Sequence, residues 1–160
     1  MYQAIVVAIF ALVSVYAGAF APALPEEVLN PDVTQQNIST NICVPGYTKV
    51  IRPSTSYTNG VKKLLMKRSG LDLAEMRSYE LDHIIPLTLG GHPRNPKNLM
   101  LQKWEGEDGA KVKDKLEVRL NKLVCSGKVD LREAQADIYY DWQAAYAKYE
   151  HMRSKKKRRK

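Results

Sequence analysis

Two adjacent glycines, Gly90 and Gly91, sit between an apolar run and a proline-rich loop and constrain this chain more than anything else in it. The stretch around them, Tyr79 to Gln102, reads YELDHIIPLTLGGHPRNPKNLMLQ. Asp82 and His83 stand side by side at the front of Ile84, Ile85, Pro86, Leu87 and Leu89, which reads as a short strand ending at the double glycine. The HPRNPKN segment that follows is dense in proline and asparagine and reads as loop. Asn98 then opens a second apolar run, Leu99, Met100 and Leu101. The expected shape is a hairpin that delivers a carboxylate, an imidazole and an amide to one place.

An Asp-His pair, a Gly-rich turn and an Asn before a second strand, followed by a helix, resemble the HNH, or ββα-metal, nucleases. The frame around the motif is similar to a subgroup of small secreted HNH proteins. There, a segment like CVPGYTKVIRPSTSYTN precedes the motif and one like AKVKDKLEVRLNKLVCSGKVDLREAQADIYYDWQAAY follows it, so the likeness covers roughly Ile42 to Tyr149. It implies an α+β fold: a ββα-metal hairpin and helix, braced by further helices.

The chain has 160 residues, enough for one compact domain plus tails. Of the formal net charge of +8, seven positive side chains lie in the terminal RSKKKRRK, so the rest is nearly neutral. Ala4 to Ala19 is an uncharged apolar run followed by Phe20-Ala21-Pro22, and Ala17-Gly18-Ala19 offers small residues for cleavage. A signal peptide over residues 1–19 is expected, hence a secreted protein with no stable membrane association after cleavage. The competing reading is a retained anchor, although such a helix would rise only about 24 Å against a hydrocarbon core of roughly 30 Å. Residues 20–41 carry Pro, Asn, Gln and Thr without apolar periodicity and read as a flexible leader, with a glycosylation sequon at Asn37. The domain is placed at 42–150 and a basic disordered tail at 151–160. That tail suits sequence-independent binding to nucleic acid; an acidic surface and nuclear import are its other readings.

Cys43 and Cys125 are the only cysteines, an even pair in a chain that reads as exported, and no Cys-x-x-Cys spacing offers a zinc site. A disulfide is expected, with two buried thiols as the alternative. Val44 to Tyr57 reads as extended or turning chain. A helix is expected over Tyr57 to Arg68, with Tyr57, Val61, Leu64 and Leu65 on one stripe and Lys62, Lys63, Lys67 and Arg68 on the rest. A second begins near Ala110, burying Val112, Leu116, Leu120, Leu123 and Val124, leaving Lys113, Asp114 and Glu117 to the side and stopping at Cys125-Ser126-Gly127. The last runs from an Asp130 cap to Tyr149, with Leu131, Ala134, Ile138, Trp142, Ala145 and Tyr149 inward.

Phosphodiester hydrolysis needs a base for the attacking water and positive charge at the phosphate. Neutral histidine can be that base near pH 7, and a hard divalent ion held by oxygen ligands can supply the charge. The resemblance gives His83 the role of general base and Asp82 that of metal ligand, with Mg²⁺ or Mn²⁺ as cofactor. Neighbours on a regular strand point to opposite faces, so Asp82 and His83 share a site only where the strand ends or twists. Asn98 joins the catalytic set, either bracing the loop or offering its amide oxygen to metal. The pattern's usual His or Asn in the first turn of the helix is missing before Asn121. Asp114 is taken as the second ligand because Lys113-Asp114-x-x-Glu117 recurs in the subgroup; Glu107 and Asp108 are the alternatives. Arg94, Lys97 and Lys113 are assigned to nucleic acid, with solvated loop as the other reading for Arg94 and Lys97. His92 reads as a loop residue. The expected protein is a metal-dependent endonuclease of low sequence specificity acting on DNA, with RNA as a second substrate. A non-catalytic nucleic-acid or protein-binding module on the same fold is the rival, and the oligomeric state is left open.

Overall fold

The structure, a computed structural model, describes residues 23–152. The expected signal peptide and nearly all of the basic tail lie outside them. Among the described residues no helix is long and apolar enough to cross a membrane. The elements run α1 (Tyr47–Ile51), α2 (Thr55–Arg68), β1 (Tyr79–His83), β2 (Leu99–Lys103), α3 (Ala110–Cys125) and α4 (Leu131–Tyr149), joined by short 3-10 turns. This is an α+β fold with one small sheet.

The sheet is one antiparallel pair in which Asp82 faces Met100 and His83 faces Leu99. The apolar run placed in the first strand lies after it instead. The strand ends at His83, and Leu87–Leu89 forms a 3-10 turn behind Pro86. Pro86 has no N–H for a ladder, and Ile85, Leu87 and Leu89 turn inward to the core. Ending at His83 meets the condition for neighbouring side chains to serve one site. Gly91 is required by space: a Cβ there would lie 1.8 Å from the Ile85 carbonyl oxygen.

Helices α3 and α4 pack as a hairpin around Leu116, Leu120, Leu123, Val124, Leu131, Ala134, Ile138, Ala145 and Tyr149, with Ile85 and Leu89 filling in from the β-hairpin. Each such apolar side chain contributes about 1.5–3 kcal/mol when buried. Asp130 caps α4 by accepting from Arg132 N at 2.8 Å, as its sequence position suggested. Asp141 breaks the regularity of α4 (φ −158°, ψ 87°) and accepts from Ala144 N at 2.9 Å, so its carboxylate restarts the helix. Trp142 packs against the core only in part.

Three expectations are corrected. From residue 23 onward the leader is not flexible chain. Leu24, Val28 and Val33 are buried in the core, and the segment is stitched to the hairpin turn by Asn30 N to Gly90 O and His92 N to Val28 O, both 2.9 Å. Val44 to Tyr57 is partly helical, as α1 and the start of α2. On α2 the buried residue is Met66, while Leu64 on the expected stripe is exposed. The helix packs against both strands of the small sheet.

The disulfide is formed: Cys43 and Cys125, 82 residues apart, are bonded with Cα atoms 5.6 Å apart. It ties the chain before α1 to the last turn of α3. The sequon residue Asn37 has its amide engaged inside a turn, accepting from Thr34 N at 2.8 Å and donating to Asp32 O at 3.0 Å.

Candidate functional site

The hairpin is held shut by Asn98. Its side chain is fully buried; Oδ1 accepts from Ile85 N at 2.8 Å, while Nδ2 donates to Ile85 O and His92 O, each at 3.0 Å. Of its two expected roles this is the bracing geometry, since the amide oxygen is already taken. His92 organises the loop from inside, its Nδ1 accepting from Arg94 N at 3.1 Å and Asn95 N at 2.9 Å. Together these bonds set the position of the Pro93 carbonyl.

That carbonyl meets His83. His83 Nε2 lies 3.1 Å from Pro93 O, and a carbonyl can only accept, so Nε2 carries the proton and Nδ1 the lone pair of the neutral ring. Nδ1 makes no hydrogen bond among the described residues. Burial pushes the His83 pKa below its ordinary 6.5, against the opposing pull of the Pro93 bond and of Asp82. The ring is therefore neutral at pH 7 and fixed in one tautomer, as a general base requires.

Asp82 is committed on both oxygens. Oδ1 accepts from His83 N at 2.7 Å and Oδ2 from Lys113 Nζ at 2.8 Å. Lys113 is only 1% exposed, and its ammonium also donates to Glu117 Oε1 at 2.6 Å and to His83 O at 2.8 Å. Burial works against that charge, but Glu117 and Asp82 outweigh it and raise the Lys113 pKa. Burial likewise lifts the Glu117 carboxyl, against the pull of Lys113. Glu80, two residues before Asp82 on the same strand face, has its pKa raised to about 7 by burial, then by Asp82 and Asp114. Its Oε2 is buried with no partner.

The expected site residues are thus partly gathered. His83, Asp82 and Asn98 come together at the closed end of the hairpin. Asp114 is exposed on α3; burial and the nearby Asp82 raise its pKa, but its side chain makes no hydrogen bond among the described residues. Arg94 lies exposed on the loop beside Pro93, its guanidinium 5.2 Å from the centre of the Tyr57 ring. Lys97 pairs with Glu27 at 2.7 Å on the surface. Lys113 cannot reach a phosphate from its buried position, and that assignment is withdrawn.

The donor set does not fit a divalent ion as it stands. Among the described residues no three His, Cys, Asp or Glu side chains are arranged to hold a metal, and the Asp82 oxygens are occupied by an N–H and an ammonium. Sequence reasoning missed Lys113, which follows helical spacing with Leu116 and Leu120 and so lies on the buried stripe. Its i,i+4 relation to Glu117 was the available signal. Comparison with protein-family models, characterised proteins and solved structures finds no match to this chain.

Proposed function

We propose that this chain is an endonuclease that hydrolyses the phosphodiester backbone of DNA, and of RNA as a second substrate, with His83 as general base. The observation that carries the reading is the His83 Nε2 to Pro93 O bond, which leaves a neutral, largely buried imidazole with its Nδ1 lone pair unused. In the step proposed, Nδ1 takes a proton from water as the water oxygen bonds to phosphorus, and the bond to the leaving sugar oxygen breaks. Asn98 and His92 hold the loop that orients the ring, and Arg94 and Lys97 lie on that loop within reach of a bound backbone. The basic C-terminal run suits binding without sequence preference, weakening steeply as salt rises. Mg²⁺ or Mn²⁺, implied by the likeness to HNH nucleases, belongs in the assay; no step here is assigned to it.

One observation favours a second reading, a module that binds nucleic acid without cutting it: the carboxylate expected to face a metal is neutralised by Lys113. The two are separated by nicking of supercoiled plasmid with Mg²⁺ or Mn²⁺ present. Wild type is expected to nick, and His83→Ala to be slower by about 10²- to 10⁴-fold, the usual contribution of a positioned base, with plasmid binding unchanged. Binding without nicking by wild type under either metal would replace the nuclease with the binding module.

A further inference from the structure

A buried ammonium is hydrogen-bonded to Asp82, the carboxylate that the resemblance to HNH nucleases would make a metal ligand. We infer that Lys113 supplies the resident cation of the Asp82–His83 centre in place of a divalent ion. An ammonium has three N–H donors, and all three are used: Asp82 Oδ2 at 2.8 Å, Glu117 Oε1 at 2.6 Å and the His83 carbonyl at 2.8 Å. The acceptors come from β1 and from α3, so the lysine bridges the strand that carries the histidine to the helix behind it.

An incoming Mg²⁺ would need Asp82 oxygen at about 2.0–2.1 Å, in a near-ideal octahedron, beside a positive charge already hydrogen-bonded to that same carboxylate. Repulsion between the two cations, acting in a site shielded from water, disfavours both being present. The surrounding charge makes a second prediction. Asp82, Glu117, Glu80 and Asp114 outnumber the Lys113 ammonium and the Arg52 guanidinium that faces Glu80 and Asp114, so taking the ammonium away leaves these hard oxygen donors with Arg52 as their remaining counter-charge. The residue that excludes the metal is then the residue whose loss admits it.

The inference borrows from the nuclease reading only the expectation of a metal, and the two fail separately, because one is read by nicking and the other by ion binding. The test is a Mn²⁺ titration of the ¹⁵N-labelled, disulfide-bonded chain, following paramagnetic broadening of the amide signals of residues 80–84 and 113–117. Wild type is expected to show no selective broadening there at concentrations where Lys113→Met, or Lys113→Gln as the second variant, broadens these signals with at least about tenfold tighter apparent binding. Lys113→Arg, which keeps the charge, should behave as wild type. Selective broadening at these positions in wild type would overturn the inference whether or not the variants fold. So would a folded Lys113→Met or Lys113→Gln that takes up no Mn²⁺.

Discussion

At the scale of single residues, the hairpin separates two titrating groups by their surroundings. His83 is driven neutral by burial, whereas Glu80, on the same strand, is driven toward its protonated form, with a pKa near 7 against 4.5 in unfolded chain. The raised Glu80 pKa means the folded protein holds that proton more tightly than the unfolded chain. The stabilisation is complete below pH 4.5 and is lost as pH rises through 7. Glu80→Gln, neutral throughout, should match wild type at pH 4 and exceed it at pH 8. The gain should be on the order of 1–2 kcal/mol, less than the full shift implies because the side chain is partly solvated. Denaturant midpoints at the two pH values check this, and an equal change at both would mean the effect is packing, not charge. His83 and Asn98 were legible in the sequence through the pattern around them, an Asp-His pair, a double glycine and an Asn-Leu step in that order. Lys113 was not, since lysine is almost never fully buried unless paired, and its pairing with Asp82 spans 31 residues.

At the scale of elements, what was legible is what repeats. The apolar spacing of α3 and α4 placed both helices and most of their inner faces, because a 3.6-residue period leaves a continuous stripe that only a core can cover, although Val112 and Trp142 are only half-buried and Lys113, expected to the side, lies on the buried stripe. The strand was displaced because an apolar run next to two glycines reads equally as a strand or as chain folding inward, and Pro86 together with the packing of Ile85 and Leu89 decided for the second. Gly91 belongs to this junction. Its α-hydrogen faces the Ile85 carbonyl where a methyl would be 1.8 Å away, and Asn98 Nδ2 would lie 2.8 Å from the same methyl. These are a backbone atom and a fully buried side chain, so neither can swing aside. Gly91→Ala should therefore part the Asn98 bonds to Ile85 and cost about 2–4 kcal/mol, the scale of overpacking plus unsatisfied buried groups. Thermal unfolding measures that loss. Gly60→Ala, where nothing lies within 4 Å of the added carbon, serves as the control and should be neutral or slightly stabilising. A mild Gly91→Ala would mean that the turn can shift as a unit and that Asn98 does not fix the Pro93 carbonyl.

At the scale of the whole molecule, the hairpin is held from four sides: by α2 over its strands, by α3 behind its turn, by the N-terminal segment at that turn, and by the joint at the end of α3 where the disulfide lies. The N-terminal contribution was not legible because Leu24 and Val28 stand four apart but Val33 breaks that period and Pro25 and Pro31 interrupt the segment, so only the tertiary fold gives the three a common surface. The joint is doubly secured. Besides the Cys43–Cys125 bond, Asn121 Nδ2 lies 3.0 Å from Ile42 O and 2.8 Å from Thr88 O, so a side chain one helical turn before Cys125 fastens the same two pieces of chain. Closing a loop of this length stabilises by about 4–5 kcal/mol in the chain-entropy model. The covalent bond acts on the unfolded chain, whereas the Asn121 bonds act on the folded one, at about 1 kcal/mol each. Cys43→Ser/Cys125→Ser should therefore fold, because the joint remains pinned, yet lose about 3–5 kcal/mol in guanidinium unfolding. Asn121→Ala in the oxidised chain should lose less, about 1–3 kcal/mol. Adding Asn121→Ala to the serine pair should cost more than adding it to the oxidised chain, since only apolar packing then holds Ile42 against α3. Strict additivity would show that the two devices act on separate parts of the fold, and that the junction beneath the hairpin is held by its buried apolar contacts alone.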